Sequence, residues 1–243
     1  MERAVAVEPD HPEYLWRLGW NYLVLASHAR IENELDVAGS YLGRAEAIYA
    51  RLLKEEPRDV RNSLQMANVL GQRAGAARES NDWIKEHDAL NRRLEFLEDI
   101  LAKTPDSIDA RTKKLGQLHH LAIRRSEHQG SGIEDLLEEA LRIADQIAGD
   151  PNSRREDWIA YSQLMREPLL GERRNTARAV WAAEEAIART DGKDYGPHLD
   201  LMEALVADGQ VARAREIQQH ALSLLPPGDS PIRKRILNAV SDQ

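Results

Sequence analysis

The sequence has no cysteine and only one phenylalanine. Without cysteine there can be no disulfide, no thiolate metal site and no cysteine nucleophile, and the redox compartment is left open. One Phe and few β-branched runs argue against a β-rich core, whereas the abundant Ala, Leu, Glu and Arg are strong helix formers. A mostly or wholly α protein is expected. Long apolar runs are missing too: the longest, Leu18 to Ala26, is broken by Asn21 and falls far short of the roughly 20 residues a bilayer requires. The opening MERAVAVEPD carries an acid at its second residue and no long apolar region, so no signal peptide is expected. Basic residues are in deficit, with 33 Lys and Arg against 41 Asp and Glu and a formal charge of -8. A nucleic-acid partner is therefore not expected, because binding a phosphate backbone depends on clustered cations.

What is present is a repeat. Helical stretches end at Glu8-Pro9, Glu56-Pro57, Thr104-Pro105, Asp150-Pro151 and Gly196-Pro197, at successive intervals of 48, 48, 46 and 46 residues. Pro226 follows at 29. Counting back from Pro57, Leu42, Ala45, Tyr49, Leu52 and Leu53 share one helical face; Leu90, Leu97, Ile100 and Leu101 stand at matching offsets before Pro105. A second stripe follows each Pro: Leu15, Leu18 and Tyr22; Leu64, Ala67 and Leu70; Leu115, Leu118 and Ala122; Trp158, Tyr161 and Leu164. Each unit therefore reads as a helical hairpin, with the Pro between one hairpin and the next because it lacks an N–H and fixes φ.

These residues resemble the tetratricopeptide repeat (TPR) family. Gly209, Ala214, Ala221 and Pro226 stand where that motif has its turn glycine, two small packing residues and terminal proline. Ala45, Tyr49, Leu52 and Pro57 are similar to its second helix, and Leu15, Leu18, Gly19 and Tyr22 to its first. The resemblance implies an all-α fold, an α/α superhelical solenoid of TPR-like hairpins in a single domain over residues 1–243. Its units would be a partial 1–9, then 10–57, 58–105, 106–151, 152–197 and 198–227, with a C-terminal capping helix over 230–241, ten or eleven helices in all. The first four units exceed the usual length of about 34 residues. Longer helices or extended loops must absorb the excess, at HARIENELDVAGS, ARESND, EHQGSG and REPLLGERRNT. Arg93 stands where a small residue is expected, and the fourth unit is degenerate.

Units of this period also resemble the repeat regions that follow the kinase domain of many bacterial serine/threonine kinases. No kinase signature lies in this chain: a glycine-rich nucleotide loop, a His-Arg-Asp loop and an Asp-Phe-Gly are all missing. Because ERAVAVEPD reads as the end of a second helix without its partner, a longer parent polypeptide is expected. The compartment follows that parent: the cytoplasm, or the periplasm for a membrane-anchored protein.

In TPR proteins the first helices line an inner concave surface. The resemblance therefore implies a peptide-binding groove lined by Trp16, Trp20, Arg61, Asn68, Lys113, Gln117, Arg155 and Ser162. Trp16 and Trp20, four residues apart, share a helical face offset from the Leu15, Leu18, Tyr22 stripe. The alternative for the pair is packing into the core or against a preceding hairpin.

Other candidate chemistry is thin. His119 and His120 are adjacent and diverge by about 100° on a helix, so they do not converge on one metal ion. Lys85 to Asp88 holds a His-Asp pair like that of metal-dependent phosphohydrolases, without the further His residues such a site needs. QGSGIED lacks the Lys and Ser/Thr of a phosphate loop and reads as a turn with a capping box from Ser131 to Glu134. Acid pairs such as Glu138-Glu139 read as solvated helix faces. The basic clusters Arg124-Arg125, Arg154-Arg155, Arg173-Arg174 and Arg233 to Arg235 read as surface charge that could face an acidic peptide or a neighbouring domain. The expected function is a non-catalytic protein–protein interaction scaffold, with no cofactor and no metal. The alternatives are an enzyme with a pocket that joins two or more of His87, Asp88, His119 and His120, or a structural or dimerisation spacer.

Overall fold

The computed structural model describes residues 11–190, 194–225, 228 and 231–240. Among these residues the chain is helical, with no strand, and it divides into two compact units, Met1–Gln117 and Leu118–Gln243. The division falls inside one helix, α5.

The first unit contains α1 (Pro12–Ile31), α2 (Leu35–Glu55), α3 (Val60–Glu79), α4 (Trp83–Lys103) and the first half of α5 (Ile108–Glu127). Two antiparallel hairpins, α1–α2 and α3–α4, pack through α2 and α3 and through α1 and α3. Each helix has 20 or 21 residues, and the turns inside the hairpins are only three residues long, Glu32 to Glu34 and Ser80 to Asp82. Longer helices, rather than longer loops, thus absorb the extra length of these hairpins. The period is written into the backbone as well. Left-handed residues recur at Asn33 (φ 61°), Asn81 (φ 56°) and Gln129 (φ 54°), 48 residues apart, where the chain leaves a first helix. Asn accepts this conformation more readily than most residues because its short side chain can satisfy nearby backbone groups. Asp59 caps α3 by accepting from the backbone N–H groups of Arg61 and Asn62, and Asp82 caps α4 by accepting from that of Lys85.

The stripes predicted from sequence form the core. Leu15, Leu18, Tyr22, Leu42, Ala45, Tyr49, Leu52, Met66 and Leu70 are buried in one cluster, and Ala67, Leu97, Ile100 and Ala110 in a second. Gly19 lets the Tyr49 ring lie against α1, and the Tyr49 hydroxyl donates to the Trp16 carbonyl at 3.2 Å.

The second unit continues with α6 (Ile133–Gly149), α7 (Arg155–Met165), a 3-10 segment (Pro168–Arg173), α8 (Thr176–Ala188), α9 (Tyr195–Ala207), α10 (Val211–Ser223) and α11 (Pro231–Asn238). Helices α7–α8 and α9–α10 form its hairpins, with α9 also against α7 and α8. Here the extra length becomes loop: residues 166–175 join α7 to α8 through the 3-10 turn, where Gly171 supplies φ 54°. Gly209 (φ 77°) turns the chain between α9 and α10, and Ala214 and Ala221 are fully buried, as the repeat resemblance implied. Helix α11 packs on α10, where Gln218 Nε2 donates to the Ile236 carbonyl at 2.7 Å.

Two local expectations need correction. Pro197 does not separate two helices but lies in the first turn of α9, where a missing N–H is harmless because the first turn has no intrahelical acceptor for it. Ser131 and Glu134 do not form a capping box. The N-cap is Gly132 in a left-handed conformation with no side-chain cap, the Ser131 carbonyl accepts from Arg125, and Glu134 turns outward to Arg173 at 2.5 Å. The partial unit 1–9, Pro226 and Ser230 lie outside the described residues.

Candidate functional site

In the first unit α1, α3 and α4 surround an open hollow of about 480 Å³. Helix α1 contributes Trp20, Val24 and His28, α3 contributes Asn68 and Gln72, and α4 contributes Arg93. Trp20 and Val24 are large apolar side chains left 44% and 39% exposed, so one wall is a desolvation surface. Asn68 Nδ2 donates to Gln65, and Gln72 Nε2 donates to the Leu23 carbonyl at 3.3 Å. The Gln72 side-chain oxygen has no hydrogen-bond partner among the described residues. Among the described residues no Asp or Glu lines the hollow.

Arg93 is the residue that the repeat pattern marked as out of place. The residue is half-buried, its Nε is buried without a hydrogen-bond partner among the described residues, and its guanidinium packs against Gly71, where an added Cβ would come within 3.2 Å of Cζ. Nη1 donates to Gln117 Oε1 at 2.9 Å, and Gln117 Nε2 donates in turn to the Leu90 carbonyl at 2.8 Å. Burial pushes the Arg93 pKa down. A missing side chain at position 71 thus accommodates a large cation at position 93.

The eight residues expected to line a groove fall into three groups. Trp20 and Asn68 line the hollow. Trp16 and Arg61 lie beside a smaller recess of about 80 Å³: Trp16 is half-buried against the core cluster and stacked parallel to Trp20, and Arg61 covers its ring at 3.6 Å. Arg61 is also held by Glu13 at 3.1 Å; hydrogen bonds from Arg17 and Arg61 lower the Glu13 pKa. The two readings of the Trp pair therefore divide, with Trp16 against the core and Trp20 open. Lys113 is half-buried on α5. Gln117 and, in the second unit, Ser162 are fully buried, so neither presents its side chain to a ligand from solvent. That expectation is corrected: helical spacing places them on a first helix, but the neighbouring hairpin covers Gln117 through Arg93 and Leu90. Arg155 flanks a separate recess of the second unit with Arg154 and Arg189 and is paired with Asp194 and Glu156.

Two of the four residues considered for an enzyme, His87 and His119, are engaged by their neighbours. His87 stacks at a tilt on Trp83 and bonds with Asn91. His119 Nε2 donates to Glu167 Oε2 at 2.9 Å, and this bond lowers the Glu167 pKa. Of the four residues singled out, Asp88 alone is among those lining a described hollow, a groove of α2, α3 and α4 that also holds Ile84 and Arg92. Among the described residues no group of three or more His, Cys, Asp or Glu side chains could hold a metal ion, and no helix is long and apolar enough to cross a membrane.

No family model and no curated protein matches the chain. Among solved structures it is similar to one described as the nearly identical TPR-like repeats of a kinesin light chain from Podosopora anserina, with 18% identity, 88% of this chain and 96% of that chain covered, and a TM-score of 0.47.

Proposed function

We propose that the protein is an interaction scaffold that holds a peptide segment of a partner protein in the α1–α3–α4 hollow. The observation that carries this reading is Trp20, a tryptophan 44% exposed at the edge of an acid-free hollow whose walls belong to long, mutually packed helices. Such walls are preorganised, so a partner bears most of the ordering entropy, and affinity rests on a few anchors. Trp20 is the main anchor, with Asn68 beside it and with Trp16, Arg61 and Lys113 outside the hollow in supporting positions. The unit style would place the scaffold in a larger signalling polypeptide. The test is selection of binders from a random peptide library on the intact chain. Peptides that bind wild type, and lose at least tenfold affinity for Trp20→Ala but not for Trp181→Ala in the second unit, support the reading. Equal binding to all three proteins would refute it.

A further inference from the structure

Forty-eight residues before Gly71 and Arg93 stand Leu23 and Ala45, both buried in the aliphatic core of the first hairpin. The second hairpin exchanges large for small at these positions and puts a guanidinium where the first has a methyl group. This exchange is poorly explained by packing alone, because a half-buried charge is expensive unless something neutralises it. Gln117 occupies one nitrogen of the fork, and no carboxylate pairs with Arg93 among the described residues. Neighbouring arginines of the same unit behave otherwise: Arg30 is paired with Glu79 and Arg73 with Glu46.

In a chain with 41 acids, the absence of any from the lining of this hollow leaves Arg93 and His28 as its ionisable groups. The electrostatic complement of such a site is an anion. Its apolar complement sits beside it, since Trp20 and Val24 offer exposed carbon surface. A small free anion would use the first feature and leave the second idle.

We propose that the hollow recognises an acidic peptide segment, seating a side-chain carboxylate on Arg93 and a neighbouring apolar side chain against Trp20 and Val24. The assignment rests on the peptide-scaffold reading above and adds the partner's chemistry to it. The planar guanidinium suits a carboxylate because its N–H groups can be offered in parallel. Gln117 fixes the rotation of the fork and Gly71 fixes its height. With a formal charge of -8 the chain does not steer acidic partners from a distance, so recognition is by contact and is confined to roughly the 8 Å over which charge acts at physiological salt.

The experiment uses the intact chain and a phage-displayed random 12-residue library fused at its C-terminus, so that no displayed peptide carries a free α-carboxylate. The expected result is enrichment of peptides with an Asp or Glu within three positions of an aliphatic or aromatic residue. The best peptide and its acid-to-amide counterpart are then titrated by calorimetry against wild type, Arg93→Lys and Arg93→Gln. Amidation should cost wild type at least tenfold in affinity, Arg93→Lys less, and Arg93→Gln under twofold. Gly71→Ala, which displaces the fork without removing its charge, should weaken the acidic peptide more than the amide. Enriched peptides without acids, or equal amidation penalties in wild type and Gly71→Ala, would overturn the assignment and leave the scaffold reading standing. A library that yields no binder would overturn both.

Discussion

The Tyr49 ring lies so close to Gly19 that a Cβ at position 19 would fall 2.8 Å from Tyr49 Cζ. Gly19 is helical and Tyr49 is fully buried, so the ring has nowhere to retreat. Gly19→Ala should therefore destabilise the protein by about 1–3 kcal/mol, as overpacking does, despite the helix propensity gained. Gly39 is also helical, but an added Cβ there meets nothing within 4 Å. Gly39→Ala should stabilise by up to about 1 kcal/mol. Urea titrations of both variants give the two signs; a stabilised Gly19→Ala would mean the Tyr49 contact is soft.

Trp16 and Trp20 should separate in the same way by function. Trp16 packs on the core beneath Arg61, so Trp16→Ala should lower stability by about 2 kcal/mol. Trp20 is 44% exposed, so Trp20→Ala should leave the melting temperature nearly unchanged and cost about 2 kcal/mol in affinity for a selected peptide. Lys113→Ala should cost less and act through salt-dependent association. Calorimetry after circular dichroism decides: lost stability with unchanged affinity in Trp20→Ala would remove it from the site.

Asp59 accepts from the backbone N–H of Arg61 at 2.7 Å, from that of Asn62 at 3.3 Å, and from Asn62 Nδ2 at 2.7 Å. Asp59→Ala should cost about 1–2 kcal/mol by thermal denaturation, whereas Asp59→Ser should recover most of it by capping with its hydroxyl. Equal losses in both variants would show that the Asn62 side-chain bond matters more than the cap.

The His119–Glu167 bond predicts a pH dependence. The bond lowers the Glu167 pKa below its ordinary 4.5, so its stabilisation is present above that value and is lost as pH falls through the depressed folded value. Glu167→Gln should be less stable than wild type by about 1 kcal/mol at pH 7, with the gap closing as the pH falls below the ordinary 4.5 and through the depressed folded value. Denaturant midpoints of the two proteins across pH 3–7 test this; a constant gap would show that the bond contributes through shape and not charge.

Much of the fold was legible because helices repeat a local rule. The stripes at Leu15, Leu18, Tyr22 and at Leu42, Ala45, Tyr49 identify their own helices, and the 48-residue period identifies the hairpins, since spacing of 3 and 4 residues places side chains on one face whatever lies opposite. The same local rule placed Trp20 off the core stripe, while the repeat resemblance marked Arg93 as foreign to its position. Tertiary structure decided what spacing leaves open. Gln117 and Ser162 satisfied the helical arithmetic yet are buried, because exposure depends on which neighbouring side chain crosses the face. Trp16 and Trp20 obeyed one pattern and reached different surroundings, since Arg61 covers only the first. Whether the added length became helix, as in α1 to α4, or loop, as at 166–175, was settled by the tight Asn33 and Asn81 turns in one case and by Pro168 and Gly171 in the other. The hollow itself arises from three helices that come together, and a cavity between side chains far apart in sequence leaves no periodic trace in any one of them.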